Sequence, residues 1–324
     1  MKVHLRSSIT YDCILIGAGI AALSAAEQLR ANGCNIVLLE KSRSPGGRMA
    51  TRYMDGATLD HGAQFITARA AYLKQKLQQM VDTEQAVVWH SNRHGTPRYR
   101  GEIGMRSISQ WLGREIPILT QRTVTRLDYQ ADRWSVLCDS GETFHSRRVL
   151  ATIPTPQLLT LLASSNYPDD TAHLEALKAI VYAPTLALLA VLKEPSTMPP
   201  PGILKLAEHP VLATITDNRV KGISARPALT LHSSLPFAQT HLEDLSTATA
   251  DKLIQAAQAH IQFSIENWVL HRWRYAQCTQ RHHEDYVRFR SCPLWLAGDA
   301  FGNARLEQAA LSGVKAAQSM IAAQ

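Results

Sequence analysis

No hydrophobic run in this chain of 324 residues is long enough to cross a lipid bilayer. A membrane-spanning helix needs about 20 apolar residues, and the most apolar stretch, residues 176–192, is interrupted by Lys178 and Pro184. Lys2 and Arg6 precede an apolar stretch, as in a secretory leader. A buried strand, a glycine turn and a helix have the same hydropathy. We favour that second interpretation and expect no membrane partner.

Cysteine motifs are also absent. The five cysteines are scattered, with neither metal-ligand spacing nor a Cys-x-x-Cys pair, so the sequence predicts no disulfide framework and no cysteine metal site. Isolated thiols of this kind are typical of reduced core residues in a reducing compartment. We therefore predict a cytoplasmic protein in which these cysteines are free: Cys13, Cys34, Cys138, Cys278 and Cys292.

Basic residues interleaved with aromatics, which indicate a nucleic-acid-binding surface, are missing although the formal net charge is +7. We therefore expect no nucleic-acid partner. Part of the positive charge lies in two groups of arginines: Arg93, Arg98, Arg100 and Arg106, and Arg272, Arg274, Arg281, Arg288 and Arg290. Each group is either a solvated face or a funnel for a phosphorylated small molecule, and the sequence leaves both interpretations open.

The N-terminal residues have the pattern of a dinucleotide-binding unit. An apolar strand precedes Gly17-Ala18-Gly19-Ile20-Ala21-Ala22, and a helix follows that ends near Asn32-Gly33. Gly17 permits the tight turn, Gly19 lets a pyrophosphate approach the backbone, and the small Ala22 lets the helix pack close to the strand. The N-terminus of the helix offers free N–H groups to the phosphates.

The second strand ends on an acidic residue, Glu40, about 20 residues beyond the turn, where a carboxylate accepts hydrogen bonds from a ribose. Its charge would repel a 2′-phosphate, so the resident adenosine should lack one. Gly46-Gly47-Arg48 then adds a second close backbone approach and a guanidinium that can pair with pyrophosphate oxygens. Small residues over 59–65 permit a further contact. This combination favours FAD over NAD.

The C-terminal residues supply a complementary strand and helix. We predict a buried strand over 293–297, with Gly298-Asp299 at its carboxyl end. Ligands of open parallel sheets bind at this end of the strands, so Asp299 is placed to bond a cofactor hydroxyl or a bound water. A helix follows from about Leu306. Gly313 inside it costs about 1 kcal/mol relative to alanine, which indicates close packing on the sheet.

These motifs together resemble the flavin amine-oxidase superfamily, and more closely its renalase-like bacterial branch. The similarity covers nearly the whole chain; it is specific at both ends and loose over residues 158–217. It rests on the glycine turn, Glu40, residues 44–49, 59–67, 271–276 and 298–299, Leu306-Glu307-x-Ala309, Gly104-Met105 and Asn218-Arg219.

The resemblance implies an α/β protein with an FAD-binding, Rossmann-like domain of the glutathione-reductase/amine-oxidase type and an inserted α+β substrate domain. We expect residues 1–70, 121–155 and 276–324 in the FAD-binding domain, and 71–120 and 156–275 in the substrate domain. Strands are predicted over 122–127, 134–137, 148–152, 186–192 and 228–231, and a helix over 248–262.

The resemblance also implies which residues contact FAD, bound non-covalently. Asp60-His61 to Thr67 would run under the isoalloxazine, Val124 would contact adenine through its backbone, and the N–H of Leu306 would meet a pyrimidine oxygen. The predicted contacts are Gly17, Gly19, Ile20, Ala21, Ala22, Glu40, Lys41, Gly47, Arg48, Met49, Ala63, Gln64, Val124, Gly298, Asp299 and Leu306.

Renalase-like enzymes, as the resemblance implies, oxidise misreduced 2- or 6-dihydro isomers of NAD(P)H to NAD(P)+, with oxygen as acceptor. The expected partner is a phosphorylated small molecule, contacted by Gln64, His232, Trp273 and Tyr275; the oligomeric state stays open. Alternation along a strand puts His271, Trp273 and Tyr275 on one face and Arg272 and Arg274 on the other. No catalytic residue is assigned, because oxidation of a dihydropyridine to an aromatic cation requires no protein base.

Several competing functions are considered. An amine oxidase or a desaturase is the rival enzyme, and a non-catalytic flavin-binding redox module is the rival of another class. The His282-His283-Glu284-Asp285 cluster is interpreted as a solvated loop, since adjacent histidines point in different directions, and no metal site is expected. Ser24 lacks a nucleophile elbow. His232 follows an apolar strand, and a satisfied core histidine is its alternative to a substrate contact.

Overall fold

The computed structural model describes residues 10–168, 170–302 and 305–323. Lys2 and Arg6, considered above as part of a leader, lie outside these ranges. The strands are β1 Thr10–Ile16, β2 Ile36–Glu40, β3 Thr51–Met54, β4 Ala57–Asp60, β5 Ala86–Ser91, β6 Pro97–Gly101, β7 Ile118–Thr120, β8 Val124–Gln130, β9 Arg133–Cys138, β10 Thr143–Ala151, β11 Val181–Leu192, β12 Ile203–Lys205, β13 Leu212–Asp217, β14 Ala228–Ser233, β15 Ile265–Gln280, β16 Val287–Arg288 and β17 Leu294–Leu296.

The helices alternate with these strands along the chain. They are α1 Ile20–Ala31, α2 Ala71–Asp82, α3 Met105–Gly113, α4 Thr155–Ala163, α5 Thr171–Lys178, α6 Leu235–His241, α7 Thr247–Gln258 and α8 Leu306–Ala322. None of the helices in the described ranges combines the length and the apolar character that a bilayer span requires.

The chain forms two compact units, each made of separate chain segments. The first unit contains the residues up to Gly47, Leu112–Val181 and those from Gln280 onwards; the second contains Arg48–Trp111 and Tyr182–Thr279. These boundaries differ from the predicted domains, because residues 48–70 and 276–279 fall in the second unit and residues 112–120 and 156–181 in the first. The assignment of one domain to FAD and the other to substrate stays a prediction.

The first unit is built on a sheet of eight strands. The order is β16-β17-β10-β1-β2-β7, with β9 paired to β10 and β8 to β9. The pairs of β1 with β2 and β10, of β2 with β7 and of β10 with β17 are parallel. Both neighbours of β1 are parallel to it, and its residues Cys13–Ile16 are buried, as expected for the predicted Rossmann-like domain.

The predicted helix after β1 is confirmed, including its end. Asn32 is the C-cap of α1, and Gly33 has the positive φ of +77° that suits the residue after a helix. The prediction for Gly313 was right about close packing but wrong about the partner. A Cβ at Gly313 would lie 2.0 Å from the backbone oxygen of Ala21, so α8 packs against helix α1 at this point and not against the sheet.

The second unit contains an antiparallel sheet in the order β12-β13-β14-β11-β15. Its core includes Leu186, Leu188, Leu229 and Leu231 of the sheet and Leu253 of α7, all fully buried. Burying a leucine side chain contributes roughly 1.5–3 kcal/mol, so this cluster accounts for much of the unit's stability. The predicted strands over 186–192 and 228–231 are confirmed as β11 and β14, and the predicted helix as α7.

The β3–β4 hairpin explains why residues 48–70 belong to the second unit. Ala57 and Leu59 pack with Leu189 and Val191 of β11, so the apolar face of the hairpin covers this sheet. The assignment of these residues to the FAD-binding domain rested on motif order along the chain, which carries no information about this packing.

Candidate functional site

Four strands of the first unit end at one edge of its sheet. Ile16 is in register with Leu39 and with Ala151, and Ala151 with Leu296. The residues that follow these strand ends therefore come together: Gly17 after β1, Glu40 at the end of β2, Thr152 after β10, and Gly298 and Asp299 beyond β17. This is the edge at which open parallel sheets bind ligands.

The glycine turn after β1 leaves room for a group at the start of α1. Gly17 has φ +96°, and a Cβ there would lie 3.0 Å from the hydroxyl oxygen of Thr152. Gly19 is the N-cap of α1, has no side-chain cap, and has no atom within 4 Å of an added Cβ. The first N–H groups of a helix have no partner within it, and open space over them fits a pyrophosphate.

The Gly46-Gly47 pair lies against the same turn. Gly46 donates its N–H to the oxygen of Ala18 at 2.9 Å, and an added Cβ on Gly47 would lie 3.6 Å from the Cα of Gly19. Both glycines have positive φ, +129° and +54°. The two stretches of bare backbone predicted from the sequence are therefore neighbours.

Glu40 is buried and already holds the turn together. One carboxylate oxygen accepts the N–H of Ala18 and the other accepts the N–H of Ser42, each at 2.8 Å. A carboxylate has about four acceptor positions, so these two bonds leave capacity for a ribose hydroxyl. The predicted neighbour Lys41 lies beside it and donates to the side chain of Gln157 at 3.3 Å.

The remaining candidates of the first unit come from later elements. Gly298 has φ +139° and donates its N–H to the hydroxyl of Ser312 at 2.9 Å, which ties the end of β17 to α8. Asp299, the next residue, is partly exposed. Leu306 begins α8, whose N-cap makes no side-chain capping bond, and Val124 begins β8. Their contacts with a cofactor stay predictions.

In the second unit, the Arg48 segment packs closely on the turn over 61–64. A Cβ at Gly62 would lie 2.0 Å from the backbone oxygen of Arg48, so only glycine fits there. The same oxygen accepts the N–H of Ala63 at 2.9 Å, and Met49 is fully buried. The guanidinium of Arg48 donates to the carbonyls of Tyr275 and Ala276, at 3.2 and 3.4 Å.

Gln64 belongs to a buried polar network that the sequence did not reveal. Its amide donates to the carbonyls of Asp60 and Gly62, at 2.8 and 3.1 Å, and its oxygen accepts from the ammonium of Lys221 at 3.1 Å. Lys221 also bonds a carboxylate oxygen of Asp60 at 2.7 Å, and both of these charged side chains are fully buried. Burial lowers the pKa of Lys221, and the charge of Asp60 opposes that change.

The carboxylate of Asp60 joins segments that are far apart in the chain. Its other oxygen accepts from the hydroxyl of Thr51 at 2.6 Å and from the N–H of Met105 at 2.8 Å. The side chain of Asn218 accepts the Asp60 N–H at 3.2 Å. The Gly104-Met105 and Asn218-Arg219 motifs therefore meet at one aspartate. Lys221 carried no sequence signal, since a lysine near a glycine in a turn reads as a surface residue.

His271 and Trp273 lie on one face of β15, as predicted. The rings of His61 and Trp273 are stacked with centroids 5.3 Å apart, and His271 meets both rings edge-on at 4.8 and 4.7 Å. The indole N–H of Trp273 donates to the carbonyl of His61 at 2.8 Å. Tyr275 lies further along and meets the ring of Tyr182 edge-on at 5.8 Å.

The three histidines in this region, His61, His232 and His271, are neutral at ordinary pH. Burial lowers the pKa of His61 to about 3, and it also lowers the pKa values of His232 and His271. His232 has both ring nitrogens engaged, with the His61 carbonyl at 3.1 Å and the Thr214 hydroxyl at 3.2 Å. This is the arrangement of a satisfied core histidine, which the sequence left open.

Arg272 and Arg274 of β15 are already paired with an acidic side chain. Arg272 and Arg274 both bond the carboxylate of Glu243, and these contacts lower the pKa of Glu243. Their side chains share one face of the strand, as predicted. In the first unit, the expectation that His282 and His283 point in different directions is wrong: their rings are stacked with centroids 4.6 Å apart, and His282 is buried. No group of three potential metal ligands occurs within 10–168, 170–302 and 305–323.

Comparisons with known proteins agree with this architecture. A family model described as flavin containing amine oxidoreductase matches residues 86–321, and one described as an NAD(P)-binding Rossmann-like domain matches residues 15–83. Mouse renalase is 23% identical over 295 residues, which cover 82% of this chain and 85% of renalase.

Solved structures show the same fold at low sequence identity. A structure assigned as a protoporphyrinogen oxidase from Exiguobacterium sp. 255-15 has a TM-score of 0.72 at 14% identity, covering 98% of this chain and 100% of that one. Putrescine oxidase bound to putrescine has a TM-score of 0.68 at 15% identity, with coverage of 98% and 100%.

Proposed function

Because this chain belongs to the family of flavin-containing amine oxidoreductases, we propose that it is an FAD-dependent oxidase of misreduced 2- or 6-dihydro isomers of NAD(P)H. Family membership confirms the predicted flavin-dependent oxidoreductase. The finer assignment is supported by the renalase-like motifs and by the uncharged aromatic cluster of the second unit. The products are NAD(P)+ and, with oxygen and a proton taking up the hydride, hydrogen peroxide.

The aromatic cluster of His61, His271 and Trp273 is the observation that carries the proposal. A dihydropyridine becomes an aromatic cation when it loses a hydride, so its surroundings should not oppose positive charge. The lowered pKa values of His61 and His271 keep both imidazoles uncharged, and the face of an indole attracts a cation. Trp273 and Tyr275 are proposed to line the site of the pyridine ring.

The first unit offers a site that fits an adenine dinucleotide without a 2′-phosphate on its ribose. Gly19 leaves open space at the start of α1, Gly47 lies beside it, and Glu40 retains acceptor capacity for a ribose. Bound FAD supplies a two-electron acceptor. Gly17, Gly298, Asp299, Leu306 and Val124 would complete the contacts of this unit; those of Arg48, Met49, Ala63 and Gln64 are predicted in the second.

Non-covalent attachment is proposed because the thiols are poorly suited to a flavin linkage. All five cysteines are buried. Burial raises the pKa values of Cys138 and Cys292 to about 11 and raises the pKa of Cys13 further. The thiolate is the nucleophilic form of cysteine, so Cys13, Cys138 and Cys292 are unreactive near neutral pH.

The test is an anaerobic stopped-flow screen of the FAD-loaded protein. The 2- and 6-dihydro isomers of NADH and NADPH should bleach the flavin rapidly, and ordinary NAD(P)H and simple amines slowly. Faster bleaching by a primary amine or an isoprenoid would instead establish an amine oxidase or a desaturase. Absence of bleaching by every compound would indicate a non-catalytic flavin-binding module.

A further inference from the structure

One arginine of the second unit differs from the others in its surroundings. The guanidinium carbon of Arg98 lies 4.4 Å from the centre of the Phe65 ring, and the ammonium of Lys205 lies 5.2 Å from the same centre. Two backbone bonds between Ile66 and Tyr99, at 2.9 and 2.8 Å, align these segments. Two cations therefore flank one aromatic ring that is itself partly exposed.

Arg98 has no carboxylate partner among the described residues. Its NH1 lies 3.5 Å from Nε2 of His90, and its buried Nε has no hydrogen-bond partner there. Burial lowers the pKa of Arg98, and no acidic group offsets this change. Burial also lowers the pKa of His90, and the charges of Arg98 and Lys205 act in the same direction. An imidazole carries no negative charge, so His90 does not balance the charge of Arg98.

The other arginines of this sequence group are engaged. Arg100 donates to the carbonyls of Gly101 and Glu102, at 3.0 and 2.9 Å, and Arg106 donates to the carbonyl of Thr51. The exposed Arg93 donates to the ring of His94 at 3.0 Å. A partly buried guanidinium loses part of its hydration, and at Arg98 no counter-charge offsets that loss. Such a group is explained if an anion completes it.

We propose that Arg98, with Lys205 beside the Phe65 ring, forms a subsite for the phosphate of the substrate. A guanidinium presents a planar fork of donors that matches phosphate oxygens, and a nearby ammonium adds charge. The assignment to a nucleotide rests on the proposed function; the affinity for a phosphate group does not. The sequence left open whether this group of arginines is a solvated face or attracts a phosphorylated small molecule. For Arg98, the proposed subsite favours the second interpretation.

The phosphate subsite is continuous with the polar network at Gln64. Phe65 follows Gln64 directly, and the centre of the Trp89 ring lies 6.3 Å from that of Phe65. The ammonium of Lys221 lies 5.2 Å from the centre of the Trp89 ring and bonds Gln64. A substrate whose ring lies near Gln64 would thus have its phosphate within reach of this patch.

The test compares Arg98→Gln with the unmodified FAD-loaded enzyme on three 6-dihydronicotinamide substrates: the dinucleotide, the mononucleotide and the riboside, which has no phosphate. A hydrogen bond to a charged group contributes about 1.5–3 kcal/mol, so KM for both phosphorylated substrates should rise about tenfold to hundredfold. KM for the riboside and all three kcat values should stay unchanged. Arg98→Lys should raise KM for the phosphorylated substrates less than Arg98→Gln does, because lysine keeps the positive charge but lacks the planar fork of donors.

Arg272→Gln is the matched control, since it removes the same charge from a residue that Glu243 already neutralises. It should leave KM for phosphorylated substrates unchanged. An equal rise in this variant would mean that net charge is responsible, and the proposal would be wrong. It would also be wrong if Arg98→Gln left KM for the dinucleotide unchanged, or raised KM for the riboside to the same extent.

A binding measurement separates this inference from the proposed function. Calorimetric titration of the FAD-loaded protein with ADP requires no turnover. Weaker binding of ADP to Arg98→Gln than to Arg272→Gln supports the subsite even if no dihydronicotinamide bleaches the flavin. Equal binding in both variants, or no binding to the unmodified protein, overturns it.

Discussion

The two units hold their candidate sites by different physical means. At the sheet edge of the first unit the polar groups are mostly backbone: the N–H groups at the start of α1 and the bare turns at Gly19 and Gly47. In the second unit they are buried side chains that satisfy one another, with Asp60 and Lys221 at the centre. A backbone site leaves space for a ligand without weakening the fold, whereas a buried ion pair is part of the fold itself.

The largest expected effect is on the stability of the second unit. Lys221→Met leaves the Asp60 carboxylate buried without its cation, and breaking such a pair costs about 3–5 kcal/mol. The control is the exposed Lys178 of the first unit, which is paired with Glu175; Lys178→Met should cost less than about 1 kcal/mol. Urea unfolding of both variants measures the difference, and equal unfolding midpoints would contradict the side-chain account of this unit.

Two alanine substitutions in the first unit sharpen the comparison. Gly313→Ala places a methyl group against the backbone of Ala21, so the free energy of unfolding should fall by about 1–3 kcal/mol.

Gly19→Ala meets no atom within 4 Å and should leave the free energy of unfolding unchanged. Its methyl group occupies the space assigned to the pyrophosphate, so FAD should bind about tenfold or more weakly. Thermal unfolding and FAD titration of apoprotein measure both; unchanged FAD affinity in Gly19→Ala would rule out this site.

Charged contacts with FAD should have effects of similar size. Asp299→Ala and Arg48→Ala should each weaken FAD binding about tenfold to hundredfold, the loss expected for one hydrogen bond to a charged group. Fluorescence titration of apoprotein with FAD measures the affinity, and circular dichroism checks that the fold is kept. Unchanged affinity in both variants would place the cofactor elsewhere.

The effect that is smallest at neutral pH concerns the pH dependence of stability and develops only in acid. Because burial lowers the pKa of His61 from 6.5 to about 3, the unfolded chain binds a proton at this residue more readily than the folded protein. The contribution of the neutral ring to the free energy of unfolding is therefore complete above about pH 6.5, and it is lost as the pH falls towards 3. His61→Gln should flatten the fall in the free energy of unfolding over this range. An unchanged slope would mean that His61 titrates normally.

The local elements of both units were predictable from the sequence, and the contacts between distant segments were not. The strand, glycine turn and helix around Gly19 follow from short-range patterns, because each residue acts through its own backbone. The alternation of Trp273 with Arg272 and Arg274 was predictable for the same reason. The bond of Lys221 to Asp60 joins residues 161 positions apart, and no pattern in one sequence reports such a distance.

The Arg98 patch shows the same limit in another way. The sequence placed Arg98 and Arg100 in one basic group, with nothing to distinguish them. In the structure Arg100 bonds backbone carbonyls while Arg98 lies over Phe65 without an acid. The number of charges in a group of residues therefore says less about ligand binding than the partners of its individual members.

The most direct test of the proposed chemistry uses the 6-dihydro isomer of NADH with both hydrogens at ring position 6 replaced by deuterium. The hydride should leave from this carbon, so the proposal predicts NAD+ that has lost one deuterium, one equivalent of peroxide in air, and slower anaerobic bleaching of the flavin than with the unlabelled isomer. NAD+ formation without loss of deuterium, or bleaching that is unaffected by the label and yields no NAD+, would contradict it.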